Sequence, residues 1–166
     1  MMDISTSNQI KTSAIKLVAT DCDGVLTDGG MYYTEDGKEI KRFCSVDGVG
    51  FNLLHDIGIK IAIITGECNE TVKRRSEKLK ADYLITGRSD KLTALTEICE
   101  SMGIDIAQAA YFGDDIYDVP ALKACGLGFA PSNAHISAKK AADIVTEHSG
   151  GSGCFREAAD LIIENR

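Results

Sequence analysis

Short uninterrupted apolar runs alternate along the chain with segments in which apolar residues recur at helical spacing. Buried strands are predicted by the apolar runs at 17–19, 59–65, 82–86, 127–130 and 142–146, and by AAYFGDD (109–115), which runs into Asp114-Asp115. Helices are predicted by the intervening segments at 46–58, 67–80, 91–103, 119–126 and 155–162. Strands that alternate with helices favour a parallel sheet covered on both faces, so we expect a doubly wound, Rossmann-like α/β fold.

One segment, 29–44, breaks this alternation. Asp36-Gly37 lies there between two β-favouring stretches, which predicts a two-stranded hairpin over 31–35 and 38–43 that projects as a flap. The flap, a helix and a strand occupy the chain between Asp23 and Thr65, so we expect no separate cap domain.

The ends of the chain carry a different pattern. Residues 1–13 are rich in Ser, Thr and Asn and are expected to be disordered. Residues 149–153, SGGSG, are expected to be a flexible link within a tail, 149–166, that ends in the last helix. We expect a single domain over 1–166.

Charge and composition narrow the possible partners. The chain has 166 residues and a net charge of −7, which argues against nucleic acid or an anionic membrane as a partner. No apolar run approaches the length of a membrane span. The six cysteines are dispersed and form no CxxC pair, which argues against a structural metal cluster or a redox motif. Buried thiols in a reducing, cytoplasmic compartment are then favoured over a dispersed set of disulfides.

Several chemically distinctive residues follow directly after predicted strands. Asp21 and Asp23 point to the same side because side chains alternate along an extended chain. Thr65-Gly66 and Asp114 end two further strands, and ligands of parallel α/β sheets bind where the carboxyl ends of strands meet. Like-charged carboxylates at such a site are costly unless a cation neutralises them.

This set of residues suits phosphoryl transfer. Asp21 is a candidate nucleophile toward phosphorus, and Asp23 can protonate the leaving alcohol and later deprotonate water. Asp21 and Asp114 supply carboxylates for Mg²⁺, with the main-chain carbonyl of Asp23 as a third ligand. Thr65, Gly66 and backbone N–H groups would hold phosphate oxygens, and Lys91 would add a fixed positive charge. Further support around the metal is expected from Asp115 and Asp118.

Taken together and in order, these segments resemble a known superfamily. DCDGVLTDGG (21–30), Thr65-Gly66, Lys91 within SDKLTAL and GDDIYD (113–118) are similar to the four motifs of the haloacid dehalogenase superfamily. The flap sequence, DGVG (47–50) and GGSGCFRE (150–157) resemble its capless branch of 3-deoxy-octulosonate 8-phosphate phosphatases.

The resemblance implies a phosphatase of 2-keto-3-deoxy sugar acid phosphates that works through an aspartyl-phosphate intermediate. It also implies a homotetramer in which the flap and the C-terminal tail of a neighbouring subunit close the open site. Arg156 would then reach the neighbour's site and bind the substrate carboxylate.

One residue departs from the eight-carbon branch. That branch usually has TGR after the second strand, whereas this chain has Thr65-Gly66-Glu67. Glu67 resembles the branch that acts on nine-carbon deaminoneuraminate or sialic acid 9-phosphates, in which Lys78 would be its companion. Arg75 is a further candidate for contact with the substrate. The eight-carbon and nine-carbon substrates both remain open, with a lean to nine.

Two functions of other classes are alternatives to a phosphatase. A receiver-type signalling domain also uses an acidic pair, a phospho-accepting Asp, a Thr and a Lys, but in a different order along the chain. The other is a non-catalytic oligomerisation partner of a sugar-nucleotide synthetase, which would not need the complete catalytic set. A stable phosphoprotein would favour the former, and absence of metal-dependent phosphate release would favour the latter.

Overall fold

The computed structural model describes residues 12–166. The disorder expected for 1–13 therefore falls almost entirely outside the described residues. Thr12 and Ser13 lie inside them, in a helical turn where Thr12 is buried. No helix in the described range is long and apolar enough to cross a membrane.

The strands fall close to the apolar runs that predict them. In chain order they are β1 (Leu17–Thr20), β2 (Tyr32–Tyr33), β3 (Glu39–Ile40), β4 (Lys60–Ile64), β5 (Tyr83–Ile85), β6 (Ala109–Phe112), β7 (Leu127–Ala130) and β8 (Ile144–Val145). The helices are α1 (Ser45–Asp56), α2 (Glu70–Leu79), α3 (Lys91–Met102), α4 (Val119–Ala124), α5 (Ile136–Ala141) and α6 (Cys154–Glu164).

Six of the strands form one parallel sheet in the order β5-β4-β1-β6-β7-β8. The chain builds outward from β1 to β4 and β5, then returns through α3 to place β6 on the other side of β1. The strand order reverses between β1 and β6, and such sheets bind ligands in the crevice at this position, beside the loops that follow the two strands.

Two apolar layers cover the sheet and confirm the doubly wound fold. Val18 of β1 packs in the layer formed with α1, α2 and α6, whereas Leu17 and Ala19 pack in the layer formed with α3, α4 and α5. The alternation along β1 follows from the two-residue period of a strand. Phe51 and Phe155 join α1 to α6 with ring centroids 4.5 Å apart.

The flap is a hairpin with a shorter ladder than the sequence predicts. Only Tyr32–Tyr33 and Glu39–Ile40 pair, in antiparallel register. Gly37 has a φ of 80°, which suits the tight turn after Asp36. Met31 and Tyr33 on the flap are largely exposed, at 66% and 62%.

The prediction of a flexible link at 149–153 is wrong. Gly150 and Gly151 are buried against the loop that follows β1. A Cβ on Gly150 would lie 1.9 Å from the carbonyl oxygen of Gly24, and the N–H of Gly151 donates to the carbonyl of Val25 at 2.9 Å. These glycines allow two backbones to touch, so the segment braces the site loop.

Candidate active site

Three carboxylates meet at the crevice between β1 and β6. Oxygen atoms of Asp21, Asp114 and Asp118 all lie within 4.8 Å of one another. The sequence places Asp21 and Asp114 here: Asp21 follows β1 directly, and Asp114 follows β6 after Gly113. It places Asp118 only in supporting contact, and the fold brings its carboxylate into the group itself.

Lys91 supplies the fixed positive charge beside Asp21. Its ammonium, at the start of α3, donates to Asp21 Oδ1 and to the carbonyl of Ile64, each at 2.8 Å. The Lys91 side chain is 4% exposed, so both contacts lie away from solvent. The backbone N–H of Cys22 donates to the same Asp21 oxygen at 2.6 Å. Among residues 12–166, none donates a hydrogen bond to Asp21 Oδ2, so this is the available oxygen.

Asp118 is held rigidly. Its Oδ1 accepts from the hydroxyl of buried Tyr111 at 2.6 Å, and its Oδ2 accepts from the backbone N–H groups of Asp114 and Asp115 at 3.0 Å each. This ties the loop after β6 into a turn that presents Asp114 toward Asp21. The Asp115 side chain is exposed and accepts from the backbone N–H of Ile116, so it stabilises the turn from outside.

The closeness of these carboxylates contributes to raised pKa values for two of them, Asp21 and Asp114. Burial, followed by the charge of Asp118, raises the pKa of Asp21 to about 7, although Lys91 opposes the shift. Burial, followed by the charges of Asp21 and Asp118, raises the pKa of Asp114 to about 8. A hard divalent cation would relieve this repulsion, and carboxylate oxygens are the donors such a cation prefers. The residues therefore fit a divalent metal site.

Gly24 is required for this geometry. It has a φ of 84°, a conformation that other residues adopt at a cost. A Cβ at this position would lie 2.0 Å from Asp114 Oδ2. The absence of a side chain at position 24 is what lets the loop after β6 approach the loop after β1.

The remaining phosphate-binding candidates line the same cavity, which has a volume of about 570 Å³. Thr65 and Gly66 follow β4, next to β1 in the sheet, so their loop faces Asp21. The backbone N–H of Glu67 donates to Thr65 Oγ1 at 3.1 Å, and this contact shapes the turn. Glu67 itself is exposed at the cavity wall, consistent with a group that meets a substrate.

Two further residues line this cavity, Lys41 and Glu39, and neither was among the site residues predicted from the sequence. Lys41 donates to Asp23 Oδ1 at 2.7 Å and pairs with Glu39 at 3.1 Å, with its side chain 6% exposed. Burial alone would lower the pKa of Lys41, but hydrogen bonds to the two carboxylates raise it above its ordinary value. Within the flap, alternating charges look like a solvated surface, so the sequence signal for Lys41 is weak.

Three predicted substrate residues do not line this cavity. Arg75 lies under the flap, where its guanidinium donates to the carbonyl of Cys44 at 3.0 Å and lies 5.4 Å from the ring centroid of Phe43. Lys78 is exposed on α2. Arg156 donates to the carboxylate of Asp160, one turn along α6. Within one chain, then, the fold separates these cations from the carboxylate group.

Comparisons with known proteins show which family the chain resembles. A family model for haloacid dehalogenase-like hydrolases matches residues 59–156. The 3-deoxy-D-manno-octulosonate 8-phosphate phosphatase of Haemophilus influenzae is 40% identical over 94% of this chain and 87% of that protein.

Solved structures extend the likeness to three dimensions. The phosphatase of the same kind from Moraxella catarrhalis, crystallised with magnesium ion, phosphate ion and a KDO molecule, is 37% identical. It has a TM-score of 0.95 over 98% of this chain and 94% of that one. The cobalt-bound Haemophilus influenzae structure is 40% identical, with a TM-score of 0.89 over 93% and 91%.

Three findings indicate the same family for this chain: the family model, the sequence identity over nearly the whole chain, and the shared fold without a cap domain. The chain belongs to the haloacid dehalogenase-like hydrolases and, within them, to the family of 3-deoxy-D-manno-octulosonate 8-phosphate phosphatases, enzymes that hydrolyse phosphate monoesters.

Proposed function

We propose that this enzyme hydrolyses the phosphate ester of a 2-keto-3-deoxy sugar acid, with Mg²⁺, through an aspartyl phosphate on Asp21. The observation that carries the proposal is the group of Asp21, Asp114 and Asp118 within 4.8 Å beside the buried ammonium of Lys91. A carboxylate meets an anionic phosphate only where positive charge is concentrated, and this site combines a fixed ammonium with donors for a cation.

In the first step Asp21 Oδ2 attacks phosphorus and the bond from phosphorus to the ester oxygen breaks. Asp23 gives its proton to the departing oxygen, so that oxygen leaves the phosphorus as a hydroxyl group of the sugar acid. In the second step water attacks the same phosphorus, loses a proton to Asp23, and the bond to Asp21 breaks to release phosphate. Thr65 and Gly66 would hold the phosphate oxygens throughout.

The metal would be held by the carboxylates of Asp21 and Asp114, with the main-chain carbonyl of Asp23. Asp118 would orient the Asp114 loop, because both of its oxygens already accept hydrogen bonds. When bound, Mg²⁺ supplies positive charge that offsets the repulsion between these carboxylates and the phosphate.

For the substrate, the relatives favour 3-deoxy-D-manno-octulosonate 8-phosphate, since that is the compound in the name of the Haemophilus influenzae phosphatase. The nine-carbon deaminoneuraminate 9-phosphate is the second candidate, and Glu67 at the cavity wall favours it. The test is phosphate release from both compounds, with Mg²⁺ and then with chelator. Preference for the eight-carbon acid supports the first candidate, and preference for the nine-carbon acid makes Glu67 the residue to vary. No metal-dependent release from either would overturn the proposed function.

We further propose a homotetramer in which the flap and tail of one subunit close the site of another. Exposed apolar residues on the flap, Met31, Tyr33 and Ile40, support an interface there. A cytoplasmic location remains a prediction, in keeping with six free cysteines in the structure.

Arg156→Ala tests the crossing tail. Arg156 lies outside its own chain's cavity, so it can act on substrate only in a neighbouring subunit. We expect the KM for the keto acid phosphate to rise about tenfold, because a charge-assisted hydrogen bond contributes about 1.5–3 kcal/mol. The KM for 4-nitrophenyl phosphate, which has no carboxylate, should not change. Steady-state kinetics with Arg74→Ala, an exposed arginine of α2, as control would check this, and equal effects on both substrates would refute it.

Stability should respond to Mg²⁺ in a pH-dependent way. The folded pKa values of Asp21 and Asp114 are about 7 and 8, above the ordinary 3.8, so the metal-free folded chain binds protons that the unfolded chain releases. Its stability therefore falls as pH rises from about 4 to about 8. Mg²⁺ replaces those protons, so it should raise Tm by several degrees at pH 8 and much less at pH 5. Thermal melts with Mg²⁺ or chelator at the two pH values measure this. An equal rise at both would contradict it.

A further inference from the structure

We propose that Lys41 is a positioning residue that holds Asp23 in place as the proton donor, from an anchor shared by the flap and α2. This inference rests on the proposed function, in which Asp23 protonates the departing oxygen. Lys41 is the first residue after β3. Among the described residues it makes no hydrogen bond or ion pair with Asp21.

The Asp23 carboxylate needs an external support. Its side chain is 34% exposed at the cavity wall, where a free carboxylate would sample several rotamers. Lys41 contacts its Oδ1 at 2.7 Å and the Thr27 hydroxyl contacts the same oxygen at 3.3 Å. Within residues 12–166 no group hydrogen-bonds Oδ2. One oxygen is thus fixed and the other is left to face the substrate.

Lys41 is itself immobilised. Its side chain is 6% exposed, and its ammonium is shared between the carboxylates of Asp23 and Glu39. A long lysine side chain loses much rotamer freedom when it is held in one geometry, so two charged partners are needed to keep it there. On the same flap, Lys38 makes one ion pair within the described part of the chain, to Asp36, and its side chain is 79% exposed.

The anchor continues into α2. Glu39 Oε2 accepts from the Asn69 amide at 2.6 Å, and Asn69 Oδ1 accepts from the backbone N–H of Thr71 at 2.8 Å as the cap of that helix. The chain of contacts therefore runs from Asp23 through Lys41, Glu39 and Asn69 to a helix end. It links the flap to the loop that carries Glu67, so the flap position and the proton donor are fixed together.

The expected consequence depends on the leaving group. General acid catalysis contributes only when the departing oxygen needs a proton, and it needs close geometry. A 4-nitrophenolate leaves without help, whereas a 4-methoxyphenolate is more basic and gains from a proton. Loss of Lys41 should then slow hydrolysis of the poor leaving group selectively. A role of Lys41 in binding phosphate would instead slow both equally.

The experiment compares Lys41→Met with the unaltered enzyme on a series of substituted phenyl phosphates of similar size. The readout is kcat/KM, which covers the steps up to departure of the phenol. We expect the 4-methoxyphenyl ester to lose about tenfold more than the 4-nitrophenyl ester, a part of the typical 10²–10⁴-fold contribution of a general acid. The matched control Lys38→Met should leave the whole series unchanged.

Two further variants distinguish loss of positioning from a folding defect in Lys41→Met. Glu39→Gln keeps the shape of the anchor but removes one charge, and should give the same dependence on the leaving group with a smaller loss. In an Asp23→Asn background, Lys41→Met should add no further dependence on the leaving group, because the donor is already gone. Circular dichroism melts would confirm that each variant is folded.

The outcomes separate the two proposals. Equal losses across the series in both Lys41→Met and Glu39→Gln would overturn the positioning role and leave the phosphatase intact. Failure of the unaltered enzyme to release phosphate from any ester with Mg²⁺ would overturn the proposed function itself.

Discussion

Asp21→Asn is expected to reduce turnover by more than about a thousandfold, as is typical when a nucleophile is removed. The amide has nearly the same shape, but it cannot form the acyl phosphate. Its oxygen can still accept from Lys91 and Cys22, so the fold should persist. Because one buried negative charge is removed, Tm in chelator should be equal or higher.

The measurement pairs steady-state phosphate release with intact mass after acid quenching. Covalent phosphate should be detected on the unaltered enzyme and be absent from Asp21→Asn. Asp105→Asn is the matched control, since Asp105 caps a 3₁₀ turn at Ile106–Gln108, outside the cavity. Residual activity above a few per cent in Asp21→Asn would exclude Asp21 as the nucleophile.

Lys91→Met is expected to reduce kcat/KM by about a hundredfold or more, the usual effect of removing one preorganised donor to developing charge. It should also lower the free energy of unfolding in chelator by about 3 kcal/mol. The reason is that the group of Asp21, Asp114 and Asp118 loses the one lysine that contacts it among the described residues. Mg²⁺ should recover part of that stability but little of the rate, since the metal offsets charge without replacing the contact to Asp21.

Urea unfolding with and without Mg²⁺, together with kinetics, separates these two effects. Lys123→Met, an exposed lysine on α4, is the matched control and should change neither quantity. Unchanged stability of Lys91→Met in chelator would show that Lys91 does not offset the carboxylate charges.

The parallel sheet, and the positions of the main cavity residues along its edge, could be predicted from local sequence patterns. Each strand of the parallel sheet lies in a short, largely apolar run. Asp21 and Thr65 follow β1 and β4 directly, and Asp114 follows β6 after Gly113. In a parallel sheet the carboxyl ends of strands share one edge, so topology alone brings these side chains together. Lys91 begins the helix that crosses back to β6, which places it at the same edge.

Other parts of the site depend on contacts between distant segments. Lys41 contacts Asp23 across 18 residues of sequence, and no periodic pattern marks it. The glycines at 149–153 resemble a flexible link locally, yet they pack against the loop after β1, where only a bare backbone fits. Arg75 looks like a solvated cation in sequence, but the fold places it under the flap against Phe43.

The sheet, its two apolar layers and the acidic residues at its edge follow from the sequence, because strand and helix periodicity are local and the crossover rules are few. Which side chains complete that edge depends on contacts between segments far apart in the chain. Asp118 joins the carboxylate group because Tyr111 and the turn after β6 orient it, and Lys41 reaches Asp23 because this part of the flap lines the cavity wall. Such contacts depend on where two loops meet in space, which sequence spacing does not specify.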